Sequence, residues 1–214
     1  MKRALILDLD NTIYPVSSIS ENLFASLFEM LDQHADIVNA IDAETISKIK
    51  DEMTRRPFQH IADEFELDAG LKNKMVDILK NISYDLPMQP FEDYRYIQSI
   101  PLDKFLVTTG FSKLQWSKVK MLGIEPDFKA IHIVDPEVNQ QTKKDVFAGI
   151  MRTHNYNPEE LLVIGDDPGS EIKAAKALSI DTFLYDPEDK YPDVEVTYRA
   201  VNLKEVSDIL EKAI

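Results

Sequence analysis

The chain is predicted to be an α/β protein: a parallel sheet flanked by helices and interrupted by one inserted helical stretch. Three observations carry that expectation. Short apolar runs alternate with helical patterns along most of the chain. Each run is bounded by polar or turn residues, as strands buried on both faces are. From residue 17 to residue 90 no such run occurs, and the apolar spacing is helical throughout.

The first strand is expected at residues 4–7, where Ala4, Leu5, Ile6 and Leu7 precede an acid. The insertion follows. Leu23, Leu27, Met30 and Leu31 form one helical face, and Ile46, Ile49 and Met53 another. Phe58, Ile61 and Phe65 form a third, and Leu71, Met75 and Ile78 a fourth. Pro15, Pro87 and Pro90 stand at its two ends. Arg55, Arg56 and His60 are candidate substrate contacts in the insertion, although such residues more often form a solvated helix face. Later strands are expected at 105–107, 131–134, 161–164 and 182–185, with a weaker sixth at 198–201. Helices are expected at 112–122, with Leu114, Met121 and Leu122 inward, and at 142–153, with Val146, Phe147 and Ile150 inward. Thr142 and Asp145 read as a capping pair for the latter. Helices at 171–178 and 203–213 complete the pattern. Strands alternating with helices of this length imply a parallel sheet. The chain thus divides into a core of residues 1–16 and 91–214 and a helical insertion of residues 17–90.

Composition narrows the function. The 214 residues carry 24 Lys+Arg against 38 Asp+Glu, a net charge of −14, and no Cys. Nucleic acid and anionic membranes need clustered Lys and Arg, so neither is an expected partner. The lack of Cys removes a disulfide scaffold, a thiolate metal site and a Cys nucleophile. No run reaches about 18 uncharged apolar residues, and the opening MKRALILDLD is too short for a secretory leader, so a cytoplasmic protein is expected.

Three strands end alike. The first runs into Asp8, Asp10 and Thr12, the second into Thr108, Thr109 and Gly110, and the fourth into Gly165, Asp166 and Asp167. Ligands of open α/β sheets bind outside these carboxyl ends. Asp8 and Asp10 point the same way on an extended backbone. Two carboxylates at one place need a cation or a proton. With Asp166 and Asp167 on the same edge, an all-oxygen set suits Mg²⁺. Thr108 offers a hydroxyl, and Gly110 lets the backbone approach a phosphoryl group. Lys143 and Lys144 open a helix, whose N-terminus also favours an anion.

The order Asp-x-Asp-x-Thr, apolar-Thr, Lys at a helix start, then Gly-Asp-Asp-x-x-x-acid resembles the haloacid dehalogenase (HAD) superfamily. The residues are Asp8 to Thr12, Thr108, Lys143 or Lys144, and Gly165 to Glu171. The opening through Pro15 further resembles the pyrimidine 5′-nucleotidase branch. The resemblance implies a Rossmann-like core with an inserted α-helical cap. It also implies a Mg²⁺-dependent phosphatase acting on a small phosphorylated metabolite, nucleoside monophosphates included. Asp8 would be the nucleophile and Asp10 the general acid and base. Thr108, Thr109 and a Lys would hold the phosphoryl group. Asp8, the Asp10 carbonyl and Asp166 would hold the metal, with Asp167 and Glu171 completing its surroundings. Thr109 stands where Asn is frequent, and Glu171 where Asp is frequent, so a longer arm must reach. The Lys lacks the usual Pro-x-Pro after it. Lys143 is preferred because it directly follows Thr142, but Lys144 stays open.

Other readings compete. Within the same fold, halide displacement needs no acidic metal site, which disfavours a dehalogenase. Phosphomutase or phosphonatase chemistry depends on the cap and remains open. So does a catalytically silent phosphate binder. A phospho-receiver module ends its first strand in an acidic pair and its third in the phosphorylated Asp, with Thr and Lys following; here the second acidic pair ends the fourth strand, Thr108 precedes it, and a long helical stretch interrupts the fold.

Overall fold

The computed structural model describes residues 1–19, 21–38, 42–53, 58–138 and 140–212. Strands β1 (Ala4–Leu7), β2 (Asp103–Thr109), β3 (Ala130–Val134), β4 (Leu161–Gly165), β5 (Asp181–Tyr185) and β6 (Tyr198–Ala200) form one sheet. Every pairing is parallel, and the order is β3-β2-β1-β4-β5-β6. The chain leaves β1 toward β2 and β3, then crosses back to β4 on the other side. β1 is therefore the point at which strand order reverses, where such sheets bind ligands.

Alternation along the strands explains the double burial. Leu5, Leu7, Leu106, Leu162 and Ile164 pack on one face, and Ala4, Ile6, Phe105, Val107 and Val163 on the other. The second face is covered by α7 (Lys143–His154), through Phe147 and Ile150, and by α8 (Lys173–Lys176), through Ala174 and Ala175. The first face joins a larger core containing α6 (Ser112–Leu122), α9 (Lys204–Lys212) and the helices between β1 and β2. Those helices are α1 (Ala25–Val38), α2 (Ala43–Met53), α3 (Phe58–Glu64) and α4 (Ala69–Leu79). Their inward residues include Leu27, Leu31, Ile49, Ile61 and Met75, at the expected helical spacing. No helix among the described residues is long and apolar enough to cross a membrane.

Four local expectations change. A short helix, α5 (Tyr94–Ser99), precedes β2 and packs on α9. Its six residues are too few for a periodic signal. β2 is longer than its apolar run, because pairing on both sides draws Asp103, Lys104, Thr108 and Thr109 into the ladder. In α6, Met121 is exposed, whereas Gln115 and Lys118 are buried. The expected helix at 171–178 begins instead as a single π turn, Pro168–Ile172, before α8. Such turns recur at functional sites.

Candidate active site

Asp8 leaves the end of β1 with its N–H donating to the Ile164 carbonyl at 3.0 Å. The next residues turn tightly. Ile13 N–H bonds the Leu9 carbonyl at 2.9 Å, and Asn11 takes a left-handed φ of 56° that Asn tolerates. The turn sets Asp8 and Asp10 to different tasks.

Asp8 is buried and receives Lys143 Nζ at 2.7 Å. The same ammonium reaches Glu171 Oε2 at 2.7 Å. Lys143 is the first residue of α7, whose N-terminus is set by the Thr142–Asp145 capping box. Asp145 Oδ2 accepts Thr142 N–H at 2.9 Å. This start aims Lys143 at the strand ends. Lys144, a helical step further round, is exposed. Asp8, Asp166 and Glu171 each present an oxygen within 4.8 Å of the others. Thr12 Oγ1 donates to Asp166 Oδ1 at 3.3 Å.

Asp167 stands apart from this group. It is exposed, and its Oδ1 accepts Gly169 N–H at 2.7 Å. Its own N–H donates to Glu171 Oε1 at 2.8 Å, so its backbone helps hold the glutamate. The longer arm of Glu171 lies over Gly165. A Cβ at Gly165 would stand 2.1 Å from Glu171 Oε1, so only glycine lets the side chain pass. Gly165→Ala is expected to displace Glu171, lower stability by about 1–3 kcal/mol and weaken divalent-cation binding. Thermal melts with and without Mg²⁺ check both.

Asp10 is held by partners of its own. Lys118 Nζ lies 2.8 Å from Oδ1, Tyr14 O–H donates to the same oxygen, and Gln115 Nε2 donates to Oδ2 at 2.8 Å. Gln115 also reaches Thr108 Oγ1 at 2.7 Å and the Thr109 carbonyl at 3.3 Å. It thereby ties the ends of β1 and β2 together. At Gly110, with φ 151°, a Cβ would stand 3.1 Å from the Gln115 side chain, so any other residue would be strained and would crowd Gln115. Asp135 directly follows β3. It is buried and accepts both Ser112 N–H and Ser112 Oγ–H at 2.7 Å, which anchors the start of α6.

Tyr14, Gln115 and Lys118 were missed by sequence reasoning. A signal existed for two of them. Gln115 and Lys118, three apart, interrupt the buried stripe of α6 between Leu114, Val119 and Leu122. Among the other candidates, His60 is exposed, and Arg55 and Arg56 lie outside the described residues.

The charges are unevenly balanced. Burial pushes Asp8 up to about 7 despite Lys143, with Glu171 and Asp10 adding to the rise. Burial pushes Asp166 up to about 8, with Asp8 and Glu171 adding to it. Asp10 goes the other way. Burial would raise it, but Lys118, Tyr14 and Gln115 together hold it below the usual carboxylate range. Buried Asp8 and Glu171 and half-buried Asp166 face one ammonium, with excess negative charge and hard oxygen donors, a set that fits Mg²⁺.

The two raised groups fix a pH effect. Each binds protons more tightly folded than unfolded, where its value is 3.8. Their contribution therefore favours the folded state at low pH and is lost as pH rises from about 4 toward about 8. In EDTA the melting temperature is expected to be lower at pH 8 than at pH 6. Mg²⁺ should stabilise most at pH 8, because it replaces the bound protons. An EDTA profile flat across this range contradicts the assignment.

Carboxylates and a lysine thus gather at the switch point of a parallel sheet, an acidic centre suited to a cation. The chain belongs to the haloacid dehalogenase-like hydrolase family, whose model matches residues 5–185. It is 26% identical to the Bacillus subtilis (strain 168) protein named HAD-hydrolase YfnB, over 97% of this chain and 95% of that protein. A crystal structure of YfnB bound to magnesium superposes with a TM-score of 0.60 at 20% identity, covering 98% of both chains. The chain is 22% identical to the glyceraldehyde 3-phosphate phosphatase of Pyrococcus furiosus, over 98% of this chain and 93% of that enzyme. The 2-haloacid dehalogenase of Pseudomonas syringae pv. Tomato DC3000 shares the fold at a TM-score of 0.65 and 16% identity, covering all of both chains.

Proposed function

We propose that this protein is a Mg²⁺-dependent phosphatase that hydrolyses a small phosphomonoester through an aspartyl-phosphate on Asp8. The observation that carries the reading is the surroundings of Asp8. It lies 2.7 Å from Lys143, shares a 4.8 Å group with Asp166 and Glu171, and sits beside the strand that ends in Thr108. The relatives named as phosphatases support it, as does the magnesium bound by YfnB.

In this reading an oxygen of Asp8 attacks phosphorus while the bond to the leaving oxygen breaks. Asp10 gives that oxygen its proton. Asp10 then takes a proton from water as the water oxygen attacks phosphorus, and the bond to Asp8 breaks. The ionised state in which Lys118, Tyr14 and Gln115 hold Asp10 suits the second half. A phosphoryl dianion nearby favours its protonation for the first half. Lys143 and Thr108 hold phosphoryl oxygens, and Thr109 lines the approach. Asp8, Asp166 and the Asp10 carbonyl, with Glu171 behind them, would hold Mg²⁺, which would neutralise phosphoryl charge. Residues 17–90 act as a cap that excludes water over the core of residues 1–16 and 91–214.

The test is a panel of phosphomonoesters, including glyceraldehyde 3-phosphate, sugar phosphates, UMP and CMP, with Mg²⁺ or EDTA, beside 2-chloropropionate. Phosphate release that EDTA abolishes is expected. Release of chloride, or of no phosphate from any ester, overturns the reading.

A further inference from the structure

We propose that Gln115 is a positioning residue for the proton that passes to the leaving group, and that Asp10 Oδ2 is the oxygen that delivers it. The proposal rests on the phosphatase reading and goes beyond it, from the residue that gives the proton to the group that fixes which of its oxygens does so.

The two oxygens of Asp10 are unequally occupied. Oδ1 receives the Lys118 ammonium at 2.8 Å and the Tyr14 hydroxyl as well. A carboxylate oxygen offers about two lone-pair sites, so Oδ1 has none left. Oδ2 receives Gln115 Nε2 at 2.8 Å and, among the described residues, no second donor. One site on Oδ2 therefore stays open. The Asp10 side chain is 25% exposed and lines the cleft, whereas Lys118 and Tyr14 are buried behind Oδ1. The open site on Oδ2 is where a proton can sit and pass to an ester oxygen. In that step the bond from an Asp8 oxygen to phosphorus forms and the bond from phosphorus to the ester oxygen breaks. The ester oxygen keeps the electron pair and takes the proton from Oδ2.

The amide of Gln115 meets Asp10 in one orientation. A carboxylate paired with an ammonium accepts, so the amide nitrogen faces it and the amide oxygen does not. The same nitrogen lies 2.7 Å from Thr108 Oγ1, so its two hydrogens bridge Asp10 after β1 and Thr108 at the end of β2. The contact to the Thr109 carbonyl, at 3.3 Å, is the longest of the three. The bridge is stiff. Gln115 N–H bonds the Phe111 carbonyl at 3.0 Å in the first turn of α6, and Gly110 lies against the Gln115 side chain. Held at Oδ1 alone, the carboxylate would pivot about that oxygen, and the proton on Oδ2 would no longer be aimed at the ester.

The test sets an alkyl ester against an aryl ester. An alkoxide leaves poorly without a proton, whereas 4-nitrophenolate leaves without one. The alkyl ester is whichever of glyceraldehyde 3-phosphate, the sugar phosphates, UMP and CMP the native protein cleaves fastest with Mg²⁺. The aryl ester is 4-nitrophenyl phosphate. The quantity read is kcat/KM, which covers only the steps through departure of the leaving group. Gln115→Met keeps the length of the side chain and removes its donors. It is expected to lose about 10²-fold on the alkyl ester, as a misplacement of about 1 Å does, and about threefold or less on the aryl ester. Tyr14→Phe frees one site on Oδ1 and leaves Lys118 in place, so a smaller selective loss of about fivefold on the alkyl ester is expected. It carries the test if thermal melts show that Gln115→Met does not fold. Equal losses on the two esters, as a merely structural change brings, or no loss on either, overturn the proposal. Phosphate released by the native protein from 4-nitrophenyl phosphate alone overturns it too. These results leave the phosphatase reading standing, whereas no phosphate from any ester overturns that reading and the proposal with it.

Discussion

Asp8→Asn is expected to lower turnover by at least about 10³-fold while leaving the fold intact, because an amide cannot serve as the attacking oxygen. Stability should move in the opposite direction to activity. Ionised Asp8 is disfavoured by burial and by Glu171 and Asp10, so its value is raised to about 7. Above that pH the native protein carries the cost of the buried charge, and Asn does not. The variant should therefore gain melting temperature relative to the native protein between pH 5 and pH 8 in EDTA. Lys143 keeps Glu171, at 2.7 Å, as a partner in the variant. Phosphate release together with melts at pH 6 and pH 8 checks both halves. Retained turnover would mean that Asp8 is not the nucleophile.

Lys143→Met should be the most destabilising single change at the site. The ammonium is buried between Asp8 and Glu171, each at 2.7 Å. Removing it leaves those two acids and Asp166 in a buried group with no cation. Breaking a buried pair in this way costs about 3–5 kcal/mol, a large share of the roughly 5–15 kcal/mol that holds a domain folded. Lys143 lowers the raised values of Asp8 and Asp166, so without it these two bind protons still more tightly in the folded state, and lowering the pH from 8 to 5 should restore stability. Mg²⁺ should restore it as well. Activity should stay low, since the contact to the phosphoryl group is gone. Lys144→Met, at an exposed position, should change stability by no more than about 0.5 kcal/mol. Chemical denaturation of both variants at the two pH values distinguishes them.

The contrast between the two lysines shows what was legible beforehand. Both open the same helix, and sequence left the choice open. The capping box places the first turn, and the turn aims Lys143 at a strand end 135 residues away in the chain. Asp8, Thr108 and Asp166 were legible because each follows an apolar run directly, and a strand's end is a local pattern. Asp167 shared that pattern, yet its carboxylate caps the next turn, a choice made by the π geometry of Pro168–Ile172. Gln115 and Lys118 left only a weak trace, two polar residues in an otherwise apolar stripe. The contact of Gln59 Nε2, on α3, with Glu137 Oε1 at 3.2 Å left none, since nothing near either residue in the chain announces the other.

The sequence by itself determined the alternation of strands and helices, the long insertion after the first strand and the acids at the strand ends. These are written in neighbouring residues, through spacing of 2 or about 3.6 and through caps. Strand order, and with it the placement of β1 between β2 and β4, was decided only by the tertiary structure. So was the division of labour between two aspartates two residues apart. Asp8 faces Lys143 and two further acids, whereas Asp10 faces Lys118, Tyr14 and Gln115. Burial and charge act through space, and the groups that set each aspartate's state come from segments distant in the chain.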